Sequence, residues 1–533
     1  MGGAFFPSEP IAPRLSFDHS FAGRVSLVTA RWTDRRFAAA TVLAYLPVAI
    51  FATVHHEMWR DELHCWLVAR DSATPWAVVH NRAYDGQPPL WYLLLWVLEK
   101  ATHDPLTMRV VHVAIAAAVV WVFAERAPFP RAVRALFPFG YFLAYEYVAL
   151  SRCYGLALLL ALLLCVHHPR RRSHPAAIAL LLAALALTTT VATVVAAAYT
   201  AALAVEGLML ARKGDRTLAR TWIPIAAGVA ACVAAAMCAW PPADSTVAHV
   251  AWPRELPDDT APTRLIAAMV PIPRVDFFFW NSNALLSSEP FAHVAFPVAL
   301  ALAAWTVWLL SRDVVAAVLF GVGTLLLVAL FGLVYPGDVR HHGFFFVLLL
   351  MGAWIATDAA PAVPATAGWR RWRDAAMTPS LAVVLALHVA ATPIALYYEY
   401  LYVFSSGRRA ADALRAAGLS DSLLVAEVDY PATAVLGQLG PHAVAYSPRT
   451  GRTFSFVKWT KDRRRDPTDV ETLRYTRELA ERRGRDATLL MNRPLVPDLV
   501  DGVRVTRIAE LYDSMIEEEN FYIYRVARPA PQP

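Results

Sequence analysis

Residues 88–101, PPLWYLLLWVLEKA, decide how the rest of the chain is threaded. The stretch is apolar but only about 14 residues long, whereas a helix needs about 20 residues to cross a hydrocarbon core about 30 Å thick. If it crossed, every basic cluster after it would change sides. Those clusters separate longer apolar runs: Arg126, Arg131 and Arg134; Arg170, Arg171 and Arg172; Arg212, Lys213, Arg216 and Arg220; Arg312; and Arg370, Arg371 and Arg373. Basic loops belong on the cytoplasmic side of a membrane. With residues 88–101 lying on the membrane, all of these loops fall there together. The stretch therefore reads as an interfacial helix with its Trp and Tyr rings at headgroup level.

Outward from that point, apolar runs at 37–55, 107–125, 134–149, 154–167, 175–190, 191–211, 221–240, 291–311, 314–335, 342–358 and 379–402 predict about eleven spanning helices. Of the 533 residues 57% are hydrophobic and 17% charged, against about 45–50% and about 25% in soluble chains. The Ala- and Leu-rich runs lack the alternation of barrel strands, so they are expected to be helices that satisfy their own backbone bonds. The net charge of +6 would suit nucleic acid, but the arginines sit where topology signals belong, and no nucleic-acid partner is implied.

The fold class expected is an all-α polytopic membrane protein with external juxtamembrane helices and a small C-terminal α/β domain. Residues 1–36 are polar and carry Arg14, Arg24, Arg31, Arg35 and Arg36, which reads as a cytoplasmic tail before an uncleaved anchor. Residues 37–402 form the transmembrane module, with 56–106 as a first external loop and 241–290 as a second. Residues 403–533 leave the membrane on the external side. They alternate helical patterns (408–417, 470–483) with strand-like runs (423–428, 443–446, 488–491, 522–526) and hold no Gly-rich phosphate fingerprint.

Ionisable residues at membrane depth are functional candidates, because burial there is costly. The external segment 55–66, HHEMWRDELHCW, forms a short amphipathic helix expected to lie against the bilayer. Asp61 and Glu62 point about 100° apart on it and cannot share one small pocket. One can do chemistry while the other orients it or pairs with Arg60; the plainer alternative is a solvated charge run. Further polar turns follow at 84–92 (YDGQPPLWY), at 151–154 (SRCY, just above Glu146) and at 335–342 (YPGDVRHH).

Arg152 and Arg340 sit on the side where the positive-inside rule disfavours them. Binding phosphate would explain this, since the guanidinium fork matches phosphate oxygens; snorkelling to headgroups or a local salt bridge is the alternative. His55, His56, His64, His341 and His342 leave a divalent metal open, although adjacent histidines seldom share one ion and no HExxH spacing occurs. No other cofactor is implied. Of the five cysteines, Cys65 and Cys153 could both face the oxidising side, which leaves a bridge between them open.

In these motifs the chain resembles the GT-C superfamily of polytopic glycosyltransferases. Nearest are the protein mannosyltransferase-like enzymes (glycosyltransferase family 39) and the aminoarabinose transferase that modifies lipid A. Arg60-Asp61-Glu62 matches their Asp-Glu pair in the first external loop. Gln87-Pro88-Pro89-Leu90 matches a His-Pro-Pro-Leu helix start, with Gln87 in place of His. Arg152-Cys153-Tyr154 matches an arginine-containing turn after the third span, and the Arg340-His341 loop resembles their lipid-phosphate position. The resemblance covers roughly residues 37–360.

It implies inverting transfer of a sugar from a polyprenyl-phosphate donor to a hydroxyl of a glycan, lipid or protein, on the outer face of a bacterial cytoplasmic membrane. Asp61 would be the general base and Glu62 its support. Arg152, Tyr154, Arg340, His341, His342 and Gln87 would face the substrate and its lipid phosphate. Two rival classes are a transporter or lipid flippase, which often shows repeats and interrupted segments in two halves, and a non-catalytic membrane scaffold.

Overall fold

The computed structural model describes residues 19–214, 218–246, 260–359, 368–496 and 503–528, with side chains from 33 onward except at 218 and 219. Residues 1–18 of the expected N-terminal tail, the side chains of Arg24 and Arg31, Arg216 and residues 247–259 of the expected second external loop lie outside the described residues.

The chain is a multi-pass membrane protein. Its first element, α1 (His19–His55), begins well before the expected span and becomes membrane-compatible from Thr33. Two short helices, α2 (Arg60–Arg70) and α3 (Pro75–Asn81), lead to α4 (Leu90–Ala101). At about 1.5 Å per residue α4 is about 18 Å long, well short of a hydrocarbon core. Then come α5 (Thr107–Arg126), α6 (Arg131–Leu136), α7 (Tyr154–His167), α8 (Pro175–Ala186), α9 (Thr190–Arg212) and α10 (Leu218–Ala239). A short α11 (Arg264–Met269) precedes α12 (Glu289–Leu310), α13 (Val314–Leu333), α14 (Val339–Asp358) and α15 (Gly368–Leu401).

Among the described residues eight helices are long and apolar enough to cross a membrane: α1, α5, α9, α10, α12, α13, α14 and α15. Two expected spans are the shorter apolar helices α7 and α8. The one expected at 134–149 is not a regular helix. It consists of α6, a 3-10 turn at Phe137–Phe139 and a π turn at Phe142–Glu146. Pro138 has no N–H to give, and Gly140 lies against His388, where an added Cβ would stand 3.1 Å from the His388 Cβ. Residues 141–151 are all buried, so the irregular backbone is sheltered by protein rather than exposed to lipid. At the centre of the bundle runs α14, buried from Val339 to Ala356.

The C-terminal domain adds α16 (Gly407–Ala416), α17 (Asp429–Leu439) and α18 (Asp469–Arg483) to six strands. These are β1 (Leu423–Ala426), β2 (Ala445–Ser447), β3 (Arg452–Phe454), β4 (Ala487–Met491), β5 (Val505–Leu511) and β6 (Phe521–Val526), in the order β3-β2-β1-β4-β6-β5. β1 is parallel to both β2 and β4. Its alternate residues feed two cores: Leu424 and Ala426 pack with α16 and α17, Leu423 and Val425 with α18, as expected of a strand covered on both faces. The strands β3 and β5 and the helix α17 go beyond the pattern legible in the sequence.

The two parts meet through α2. Leu67 belongs to the core of the C-terminal domain, and α17 approaches so closely that a Cβ at Gly437 would stand 2.9 Å from the Leu63 Cβ. This corrects the expectation that α2 lies on the bilayer: Leu63, Trp66 and Leu67 are buried, and their apolar stripe faces protein.

Candidate functional site

Helix α2 divides two polar environments. On its buried side Glu62 is inaccessible to solvent. One carboxylate oxygen accepts from the Ser151 N–H at 2.6 Å, and the other lies 3.0 Å from His56 Nε2 and accepts from the Trp59 N–H at 3.2 Å, capping the start of α2. The other ring nitrogen of His56 meets Glu399 Oε1 of α15 at 2.8 Å, and the Tyr145 hydroxyl donates to Glu399 Oε2 at 2.6 Å. Burial disfavours charge on His56, but the two flanking carboxylates outweigh it and hold the imidazole well above its usual range, at about 10. Burial likewise opposes charge on Glu62, yet His56 and the Ser151 N–H keep that carboxyl below its ordinary value.

The other side of α2 opens into a cavity of about 600 Å³ between the ends of the spans and the C-terminal domain. Asp61 lines it and is one-third exposed (33%). Its Oδ2 lies 3.5 Å from Arg340 Nη2, while its backbone carbonyl accepts from Arg152 Nη1. Arg152, in the turn before α7, also reaches the Cys65 sulfur at 2.9 Å. Arg340, in the first turn of α14, pairs with Asp338 at 2.6 Å and stands over two indoles, 5.5 Å from the Trp59 ring and 5.3 Å from that of Trp280. Each arginine keeps one buried N–H, Arg340 Nη1 and Arg152 Nε, with no acceptor among the described residues.

His341 also lines the cavity. Its Nδ1 accepts from the Asp338 N–H at 2.9 Å, so Nε2 carries the proton toward the Tyr154 hydroxyl at 2.9 Å. Gln87 follows the left-handed Gly86 (φ 64°) and offers its side-chain carbonyl to the Thr189 hydroxyl at 3.0 Å and the Thr190 N–H at 3.3 Å. It thereby ties the turn before α4 to the start of α9. Part of the wall is apolar, formed by the ends of α10 (Ala236, Ala239) and α13 (Leu330) with Val334. Tyr430, Val457 and Trp459 of the C-terminal domain close the opposite part.

Six of the eight residues singled out from sequence thus share one cavity: Asp61, Gln87, Arg152, Tyr154, Arg340 and His341. Two do not. Glu62 faces the sealed network, and His342 turns away to within 3.1 Å of the Pro336 carbonyl. Arg60 pairs with neither Asp61 nor Glu62: its backbone N–H and its guanidinium reach Glu519 and Glu518 at 3.1 and 2.9 Å. The cysteines are free. Burial pushes the Cys65 thiol up to about 12, leaving it inert as a nucleophile. Among the described residues no group of three or more His, Cys, Asp or Glu side chains is placed to hold a metal ion. Sequence reasoning missed Trp59 and Trp280 around Arg340, and Asn281, whose amide reaches Asp338 Oδ1 at 2.7 Å; only the fold brings these distant segments to the site.

Fold and cavity together define a multi-pass membrane protein with a polar site at the span ends, roofed by a small α/β domain. No family model and no curated sequence matches the chain. Among solved structures it is similar to ArnT from Cupriavidus metallidurans, whose structure was determined with undecaprenyl phosphate bound. The TM-score is 0.48 at 14% identity, over 93% of this chain and 99% of that one.

Proposed function

We propose that the protein is a membrane glycosyltransferase of the GT-C type. It would move a sugar from a polyprenyl-phosphate donor to an acceptor hydroxyl on the extracytoplasmic face of a bacterial cytoplasmic membrane. The observation that carries the reading is the placement of one accessible carboxylate, Asp61, beside Arg340 and Arg152 in a cavity that is apolar on one wall and polar on the others. Two arginines with uncommitted buried donors suit an anionic headgroup, and the apolar ends of α10 and α13 suit the start of a prenyl chain.

In the resting site Asp61 serves as a counterion of Arg340. Donor phosphate would take over that role and release the carboxylate. Asp61 then removes the proton of the acceptor hydroxyl as its oxygen attacks the anomeric carbon. The bond from that carbon to the phosphate oxygen breaks, and the electron pair leaves with the lipid phosphate, whose charge the two arginines stabilise. A single displacement of this kind inverts the anomeric centre. His341 and Tyr154 orient the first turn of α14, and the C-terminal domain stands on the acceptor side. Glu62 positions α2 and takes no part in the chemistry.

The test uses purified protein in lipid nanodiscs with a panel of radiolabelled polyprenyl-phosphate sugars. Release of free lipid phosphate by the native protein, lost in Asp61→Asn, supports the transferase. Donor binding without release under any acceptor condition favours a lipid flippase, and absence of binding overturns the donor assignment.

A further inference from the structure

A second pair of titratable side chains faces the same cavity and has no part in the mechanism above. Asp85, at the end of a 3-10 turn (Arg82–Asp85), places its two carboxylate oxygens 3.0 and 3.1 Å from His64 Nε2, and accepts from the Tyr92 hydroxyl at 2.9 Å. A carboxylate only accepts, so Nε2 carries a proton toward Asp85, and whenever the ring is uncharged Nδ1 is the lone pair left over. No described residue donates to that nitrogen. Asp61 and His64 are three residues apart on α2 and share its cavity-facing side, and both line the cavity with Asp85.

The pair stands on the wall shared with the C-terminal domain. The His64 ring packs edge-on against Phe456 at 6.2 Å, whose neighbour Val457 lines the cavity. Arg152 and Arg340, whose open donors are assigned to the donor phosphate, make no hydrogen bond to the His64–Asp85 pair; their protein partners are Asp61 and Cys65 for Arg152, and Asp338 and Asp61 for Arg340. The Asp85 carboxylate itself disfavours a phosphate at this wall, like charge against like. A neutral imidazole held in one tautomer by a carboxylate is an acceptor of fixed direction, suited to a hydroxyl.

We propose that His64, oriented by Asp85, binds the acceptor. Its Nδ1 accepts a hydrogen bond from a hydroxyl next to the one that Asp61 deprotonates, so the acceptor carries neighbouring hydroxyls, as a sugar or polyol does. This rests on the transferase reading. Asp85 is a positioning residue, and Tyr92 shares its carboxylate so that the ring is held from behind. No covalent step passes through His64; it places the nucleophile.

The experiment uses the nanodisc protein with the donor that proves active, and three acceptors: water, 1-butanol with one hydroxyl, and a methyl glucoside with neighbouring hydroxyls. His64→Ala is expected to raise KM for the glucoside about tenfold, the loss of one hydrogen bond to the substrate, while donor KM, hydrolysis and transfer to butanol stay within about twofold. His64→Asn, whose amide oxygen can still accept, recovers part of the loss, and Asp85→Ala follows His64→Ala in the same direction. Unchanged glucoside KM in a folded His64→Ala protein overturns the proposal, leaving the pair a structural bond. An equal fall of kcat for all three acceptors overturns it too, by placing His64 in the chemistry. If native protein releases no lipid phosphate with any donor, the transferase reading fails and takes the acceptor role with it.

Discussion

The two sides of α2 carry adjacent carboxylates with opposite fates. Glu62 is sealed, with every oxygen occupied by a backbone N–H or the His56 ring. Asp61, one residue earlier, opens onto the cavity with a single long contact to an arginine side chain. Residue type is nearly the same, and the helix turn of about 100° separates the roles. The comparison teaches that in this Asp-Glu pair the second carboxylate builds the floor and the first is left available. The floor joins the end of α1, the start of α2, the turn before α7 and the last span through His56, Glu62, Ser151 and Glu399. Reactive groups above it thus inherit a rigid support.

The largest expected effect tests the sealed side. Glu62→Ala strips two acceptors from buried donors and leaves His56 with one carboxylate, which should cost about 3–5 kcal/mol of stability, read by thermal unfolding in nanodiscs. A Glu62→Ala protein that melts as the native one does would break the comparison.

On the open side, Asp61→Asn should alter stability by no more than about 1 kcal/mol, because Asp61 is itself one-third exposed to solvent and Arg340 keeps its closer partner Asp338. Transfer should fall by about 10²–10⁴-fold, the usual loss of a general base. Full transfer in this variant would remove the distinction between the two carboxylates. Arg340→Lys is expected to act through the donor: an ammonium lacks the planar fork stacked between Trp59 and Trp280, so donor KM should rise about tenfold or more with little change for acceptors.

A pH dependence sharpens the contrast further. His56 is flanked by Glu62, Glu399 and Glu57, with the Arg109 guanidinium on its carbonyl. Its pKa in the folded protein, about 10, lies above the ordinary 6.5. The stability it adds is therefore fully present below about pH 6.5, declines as pH rises and is lost above about 10. The melting temperature should fall between pH 7 and 10, and His56→Gln should flatten that slope at the cost of a lower plateau near pH 6.

Much of the architecture was legible because spanning lipid imposes a length and a polarity that sequence displays directly. The apolar runs, the shortness of residues 88–101 and the α/β alternation after residue 403 follow from hydropathy and period alone. The irregular backbone at 131–150 was hidden, although Pro138 and Gly140 are visible in it, because hydropathy measures whether a segment tolerates burial and not whether its backbone stays helical.

The site divides in the same way. Polarity kept beside the membrane stands out against an apolar chain and picked out Asp61, Glu62, Arg152, Arg340, His341 and His342, while Tyr154 and Gln87 were assigned to the site by their match to the family motifs. Residue pattern alone left Asp61 and Glu62 open, and the choice of Asp61 as base came from the family resemblance; His341 and His342 stayed undistinguished, because neighbouring residues on a helix carry identical local signals and differ only in what packs against them. Which carboxylate faces the cavity was decided by the tertiary structure: the last span brings Glu399 to His56, the C-terminal domain buries Leu63 and Leu67 against α17, and α2 is thereby rotated to turn Asp61 and His64 toward the cavity and Glu62 away from it.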